Sequence, residues 1–316
     1  NLDSLNKIWK DTLNHDTIRL HNLNLLTSKL MYSNPDSALQ LAEIHLRFSK
    51  EIGGWGFISG LNNKGHISIL LGNYDIALNT FFESLKLEVK KNSQAGISST
   101  YQNIAQTHSM MQNHSKAEEY YKKAIEIKLE LNDELGVSQI YNNYGSNLLN
   151  MGDVDGALDL FNKALVIKKK YNSEEIGRAI LNSNIGLIYM QKKQFNNALK
   201  NLFDATNIYK KKNYSSYLGA SYFYISEIYY QQGDIDVSYK YALLCNGLAI
   251  STEILELQRM SNDILYKICY EQKKYKKALE FLEKHTSLQD TVFKKENIKA
   301  LIEEELKYEY EKKAMA

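Results

Sequence analysis

The chain has 316 residues with 39 basic against 37 acidic side chains, and a net charge so near zero excludes a field that would draw nucleic acid or an anionic membrane to the molecule as a whole. One proline (Pro35) and 16 glycines, set among abundant Leu, Ile, Ala, Lys, Glu and Gln, favour continuous helix and leave too few turn signals for a β-rich fold. The reading is all-α. No run of about 18 apolar residues occurs, and the opening NLDSLNKIWK lacks the hydrophobic core of a signal peptide. The sequence starts on Asn1 rather than methionine, as an excised or processed segment would.

Residues 1–15 read as a lead-in helix, and from residue 16 a period sets in. The segments SNPDSA, GNYDIA, QNHSKA, GDVDGA, KQFNNA, GDIDVS and KKYKKA end at Ala38, Ala77, Ala117, Ala157, Ala198, Ser238 and Ala278. The intervals are 39, 40, 40, 41, 40 and 40 residues, the signature of a tandem repeat that runs to about residue 290. Twelve residues before the anchor stands a small residue in most units: Gly65, Ala105, Gly145, Gly186 and Ser226. Seven after it stands Ser84, Ala124, Ala164, Ala205 or Cys245, with Phe81, Tyr121, Phe161 or Leu202 between. Small residues at these points let two helices approach closely while the bulky one fills the groove beside them, so each unit is predicted to be a helical hairpin.

The start of each second helix is predicted from its cap. Four residues before the anchor are Asn34, Asn73, Asn113, Asp153 and Asp234, types whose side chains accept from exposed N–H groups at a helix start. Gln194 and Lys274 are the weak caps. Pro35 falls at the first helical position, where a missing N–H costs nothing.

Small-bulky-small helical hairpins in tandem resemble the tetratricopeptide repeat. The resemblance covers residues 16–290 and implies a right-handed α-solenoid of seven hairpins with a further C-terminal helix. The usual unit has about 34 residues, so helices here are predicted to be longer by roughly a turn and a half. That longer form resembles the peptide-binding arrays of kinesin light chains and of bacterial peptide-receptor regulators. Leu26 and Tyr266 stand where the first and last units should have a small residue, as befits end caps.

In such a solenoid the first helix of each hairpin lines a concave groove. Two positions before the small residue the chain has Asn63, Asn103, Asn143 and Asn184, preceded by Asn62, Gln102, Asn142 and Ser183. One turn on are His66, Gln106, Ser146 and Glu227, and in the sixth unit the rung becomes Tyr224, with Tyr230 as a second aromatic lining. An asparagine amide carries both a donor and an acceptor, the complement of a peptide unit. First helices about 8–10 Å apart would place one rung every three or so residues of extended chain, so the expected ligand is a peptide or protein. The other readings of the ladder are that its asparagines bridge adjacent helices or reflect an asparagine-rich coding bias, since the chain is rich in Asn throughout.

No metal site, cofactor or catalysis is expected. The seven histidines are scattered without an H-x-x-x-H pair, and there is no phosphate loop or nucleophile elbow. Cys245 and Cys269 lack zinc-site spacing; they read as buried thiols or as a bridge between neighbouring repeats.

Both ends carry a second resemblance. IWKDTLNHDTIRLHNLNLLTSKLMYSNPDSALQLA and TSLQDTVFKKENIKALIEEELKYEYEKKAMA resemble the tetratricopeptide sensor proteins of Bacteroidetes. In them the array is extracytoplasmic, and a last helix runs toward a membrane span and an output such as a histidine kinase. Residues 291–316 would be that transmitter, and the stripe Ile298, Leu301, Ile302 and Leu306 would pair it with a second copy as a homodimer; alternatively the segment folds back over repeat seven. The expected function is thus the non-catalytic, periplasmic sensor region of an inner-membrane signalling protein, touching the membrane only through a span outside this chain. The alternative is a cytoplasmic scaffold or peptide-receptor regulator.

Overall fold

A computed structural model describes residues 2–291 except 33, 55, 173 and 174. The predicted transmitter stripe from Ile298 to Leu306 lies outside the described residues. The chain divides into two compact units, Asn1–Met151 and Gly152–Ala316, and among the described residues all regular structure is helical. The first unit holds α1 (Leu2–Lys10), α2 (Asp16–Leu30), α3 (Pro35–Glu51), α4 (Phe57–Leu70), α5 (Tyr74–Lys90), α6 (Gln94–Met110), α7 (His114–Glu130) and α8 (Glu134–Asn150). The second holds α9 (Val154–Lys170), α10 (Glu175–Gln191), α11 (Phe195–Lys211), α12 (Ser215–Gln232), α13 (Ile235–Ser251) and α14 (Leu255–Glu271), followed by α15, described over 275–291. Among the described residues no helix is long and apolar enough to cross a membrane.

The predicted close approach is present. A Cβ added at Gly65 on α4 would lie 2.5 Å from the Phe81 ring of α5, and Phe81 is fully buried. In the second unit a Cβ at Gly186 would lie 2.9 Å from Leu202 Cγ. The sixth repeat, whose anchor is Ser238, solves the same contact with hydroxyls. Ser226 Oγ donates to the Ser238 carbonyl at 2.8 Å, and Ser238 Oγ donates back to the Ser226 carbonyl at 2.9 Å.

The first repeat is not a defective one. Leu26 is buried where later units have a small residue, and the position of Phe81 is taken by Ala42, also fully buried. Bulk has moved from the second helix to the first, a swap that conserves volume. Helix α1 covers this hairpin: Trp9 meets Phe48 edge-on at 5.4 Å, the Arg19 guanidinium lies 4.6 Å from the Phe48 ring centre, and Arg19 Nε donates to the Trp9 carbonyl.

The caps require a correction. Asn34, Asn73, Asn113, Asp153, Gln194 and Asp234 all occupy N-cap positions, but only Asn34 and Asp153 accept from a backbone N–H, that of Ser37 and of Gly156. Side-chain caps also occur on first helices, at His15, Ser93 and Asp133.

The helix ends carry a more regular signal. Gly72, Gly152 and Gly233 have φ between 77° and 84° just past a helix, and Asn92, Gln112, Asn132, Asn172, Lys193, Asn213, Glu253 and Lys273 take the same left-handed conformation with φ between 45° and 59°. This residue lets the backbone N–H groups that follow reach the last carbonyls, as Gln194 N does to the Tyr189 carbonyl at 2.8 Å. Asparagine tolerates the conformation; lysine and glutamate have no such tolerance, and it costs them about 1–2 kcal/mol.

Two outcomes follow for stability. Lys193→Gly should stabilise the protein by about 0.5–1 kcal/mol, the left-handed cost less the extra chain entropy of glycine, seen as a higher urea midpoint. Gly65→Val should destabilise by about 1–3 kcal/mol or more because neither the helix nor the Phe81 ring has room to yield; an unchanged midpoint would contradict the packing described.

Candidate functional site

The period that fixes the core also fixes the polar face of the first helices. In the first unit, Ile67 on α4, Ile104 and Ala105 on α6, and Tyr144 on α8 are buried. Asn62, Asn63 and His66, Gln102, Asn103 and Gln106, and Asn142, Asn143 and Ser146 are half-buried on the same helices. Helix α6 touches both α4 and α8, so the three sets are neighbours.

Their hydrogen bonds divide them. Asn62 Oδ1 accepts from Ser84 Oγ of α5 at 3.2 Å, so this side chain holds its own hairpin together. Asn63 Nδ2 donates to Asn24 Oδ1 of α2 at 2.8 Å, a bridge between first helices. Asn142 Nδ2 donates to Asn143 Oδ1 at 3.2 Å, and Ser146 Oγ donates to the Asn142 carbonyl at 3.1 Å. His66 lies edge-on to Phe81 at 5.4 Å, and burial lowers its pKa, so it is neutral at physiological pH. By contrast Gln102, Asn103 and Gln106 of α6 have no side-chain hydrogen bond to any described residue. Three half-buried amides thus stand uncommitted on the middle helix, between two helices whose amides are partly used. Asn24 was missed by the sequence reading; it occupies the rung position of the first repeat, two residues before Leu26, and the same count would have found it.

In the second unit Asn184 is half-buried on α10, and the preceding Ser183 hydroxyl is 3.3 Å from the hydroxyl of Tyr209. Burial raises the Tyr209 pKa to about 12. On α12, Tyr224 packs against the Ala198, Leu202, Ile225 and Ile228 cluster. Tyr230 packs on Ala242, Ile264, Leu265 and Ile268 and donates its hydroxyl to Glu271. Both tyrosines therefore serve the core as well as any groove. Glu227, half-buried nearby, has its pKa raised by burial, an effect that Lys267 offsets and Asp263 reinforces. Lys267 is itself paired with Asp263 at 2.7 Å.

Other residues of the sequence reading fall in the core. Cys245 and Cys269 are free, fully buried thiols, and burial pushes Cys245 up to about 12. His108 is buried and stacks on Tyr120 at 5.8 Å, and His114 Nδ1 pairs with Asn147 Oδ1 at 2.9 Å. Among the described residues no three His, Cys, Asp or Glu side chains are grouped as a metal site would need.

Two stretches match models of known families, residues 57–130 and residues 138–171, and both models are described as tetratricopeptide repeat. The fold is that of tetratricopeptide repeats. No curated protein sequence matches the chain. Solved structures do resemble it in fold. A Rap protein complexed with competence and sporulation factor superposes with a TM-score of 0.66 at 16% identity, covering 92% of this chain and 80% of that one. A signal-transduction ATPase with numerous domains and a tetratricopeptide repeat sensor, from Pyrococcus horikoshii, gives 0.64 at 14% identity over 99% of this chain and 52% of that one. BtubC from P. vanneervenii gives 0.56 at 20% identity, over 67% and 91%. Identities this low show a shared tetratricopeptide architecture and leave function to the residues.

The sorting of amides has a direct test. Asn63→Ala should cost about 0.5–1.5 kcal/mol of stability because it removes the bond to Asn24. Asn103→Ala, which breaks no hydrogen bond, should leave the denaturation midpoint within about 0.5 kcal/mol of the parent.

Proposed function

We propose that the array binds an extended peptide or a peptide segment of a protein along its first helices, and is the non-catalytic input region of a membrane-bound signalling protein, a histidine kinase. The observation that carries the binding reading is the set of uncommitted amides Gln102, Asn103 and Gln106 on α6. A half-buried amide with no protein partner is left to solvent, and a peptide backbone offers donors and acceptors that can replace that water at about 0.5–1.5 kcal/mol net per bond. Three such residues do not hold a ligand by themselves. The remaining affinity comes from side-chain contacts with neighbours such as His66, Asn143 and Ser146.

The sensor reading draws on the two ends of the chain, which resemble extracytoplasmic Bacteroidetes sensors, and on the likeness in fold to a signal-transduction ATPase with a tetratricopeptide repeat sensor. In this reading occupancy alters the stacking of the hairpins and repositions residues 291–316, which pair two copies and carry the signal to a span and kinase beyond this chain. The location is then periplasmic. A second reading, a cytoplasmic peptide-receptor regulator, is favoured by the likeness in fold to a Rap protein complexed with competence and sporulation factor.

The binding test is selection from a library of unstructured peptides followed by titration of the best binder. Replacing Gln102, Asn103 and Gln106 together by alanine should weaken that binder by about tenfold or more with no loss of folding; unchanged affinity would remove α6 from the site. For signalling, deletion of 291–316 within the full-length protein should abolish the kinase response to ligand while the array stays folded and binds. A normal response from that deletion would refute the transmitter role.

A further inference from the structure

The second unit contains a cavity of about 610 Å³ at its far end, lined by Asn246 and Ile250 of α13, Gln258 and Asn262 of α14, and Glu280, Glu283, Lys284, Ser287 and Leu288 of α15. It is separate from the first-helix face. At about 100° per residue, Gln258 and Asn262 sit on the side of α14 roughly opposite Lys267 and Glu271.

The amide orientations in this cavity are fixed by chemistry. Gln258 Nε2 meets the Ala249 carbonyl at 3.1 Å and Asn262 Nδ2 meets the Gln258 carbonyl at 2.7 Å. A carbonyl only accepts, so the NH₂ end of each must face it. Ser261 Oγ donates its proton to the Gln258 carbonyl at 3.0 Å and is left to accept from Asn246 Nδ2 at 2.9 Å. One N–H of each NH₂ is therefore spent on the protein, while none of the three amide oxygens accepts from a described residue. One of these is buried: Asn262 is only 3% exposed, yet its Oδ1 has no hydrogen-bond partner. A buried acceptor left unpaired costs stability and calls for an explanation.

The carboxylates of Glu280 and Glu283 add to the same surface, and neither is in an ion pair among the described residues. Lys284, the cation of the lining, has its ammonium 5.8 Å from the Phe281 ring centre. The lining thus combines two carboxylates with one ammonium, a net negative charge, and adds side-chain amides that include the unpaired Asn262 oxygen, with Ile250 and Leu288 as its apolar part. We infer that this cavity is a binding site for an organic cation, a primary ammonium or guanidinium group on a short apolar stem. Such a group carries three or five N–H donors and a positive charge, which the two carboxylates and the unpaired amide oxygen would meet. The site is independent of the α6 amides and of the reading built on them.

The test uses the full chain and three probes: n-butylammonium, N-acetyl-lysine amide and, as the neutral control, n-butanol. Side-chain amide resonances of Asn246, Gln258 and Asn262 should shift saturably with both cations and remain unmoved by n-butanol. Glu280→Gln with Glu283→Gln, at exposed positions that do not threaten folding, should weaken the cations by about tenfold or more. Asn262→Leu should weaken them too while raising the thermal midpoint, because it removes an orphaned acceptor; a merely structural asparagine would lower it. Tighter binding of N-acetyl-lysine amide points to a basic side chain of a peptide as the natural source, and tighter binding of n-butylammonium to a free amine. Absence of saturable shifts with both cations, or affinity unchanged in the double glutamine variant, would overturn the assignment.

Discussion

The structure depends on one contact, the close approach of a small residue on a first helix to a bulky residue on the second. At Gly65 the two helices lie so near that a single added carbon would overlap the Phe81 ring at 2.5 Å. Interiors packed this closely leave no freedom in the rotation of either helix. Once the rotation is set, the rest of each first helix is set with it: the face one position away is buried and the face beyond it stays half-exposed. The polar ladder is a consequence of that geometry, since the same contact recurring every 40 or so residues brings the same face to the surface each time.

Repetition also explains where the sequence was easy and where it was hard to read. The anchor alanines and the Gly65, Gly186, Phe81 and Leu202 positions were legible because each serves a steric demand that only a few residue types meet. The caps were less legible. Asn73 and Asn113 have the right chemistry at the right position but make no side-chain cap bond, because tertiary packing already holds those helices and a cap is an option there, not a requirement. The exchange of bulk between Leu26 and Ala42 was hidden because a position-by-position comparison sees two misfits where the interior sees a conserved volume. The abundance of asparagine, which invites a reading as mere composition, has a partial physical cause in Asn92, Asn132, Asn172 and Asn213 at left-handed helix ends.

For the candidate site, the sequence placed polar residue types on one face but did not distinguish their duties. Whether an amide faces a neighbour or a ligand depends on which groups the adjacent helices supply. Asn63 is claimed by Asn24 and Asn62 by Ser84, whereas nothing on α4, α7 or α8 claims Gln102, Asn103 or Gln106. The bridge reading of the ladder therefore holds at Asn63, and the binding reading is the one proposed for the rung on α6. The same accounting of donors and acceptors, applied to α13, α14 and α15, singled out a cavity with an unpaired acceptor and two carboxylates, which the repeat pattern could not signal because those carboxylates stand on the last helix alone.

The most direct measurement of the central claim is side-chain amide NMR of the array during titration with a selected peptide. The resonances of Gln102, Asn103 and Gln106 should shift and their NH₂ protons should become slow to exchange with solvent, as those of an amide held in a hydrogen bond do, while Asn63, already bonded to Asn24, changes little. A peptide that saturates the protein and leaves the three α6 amides unshifted and freely exchanging would contradict the account.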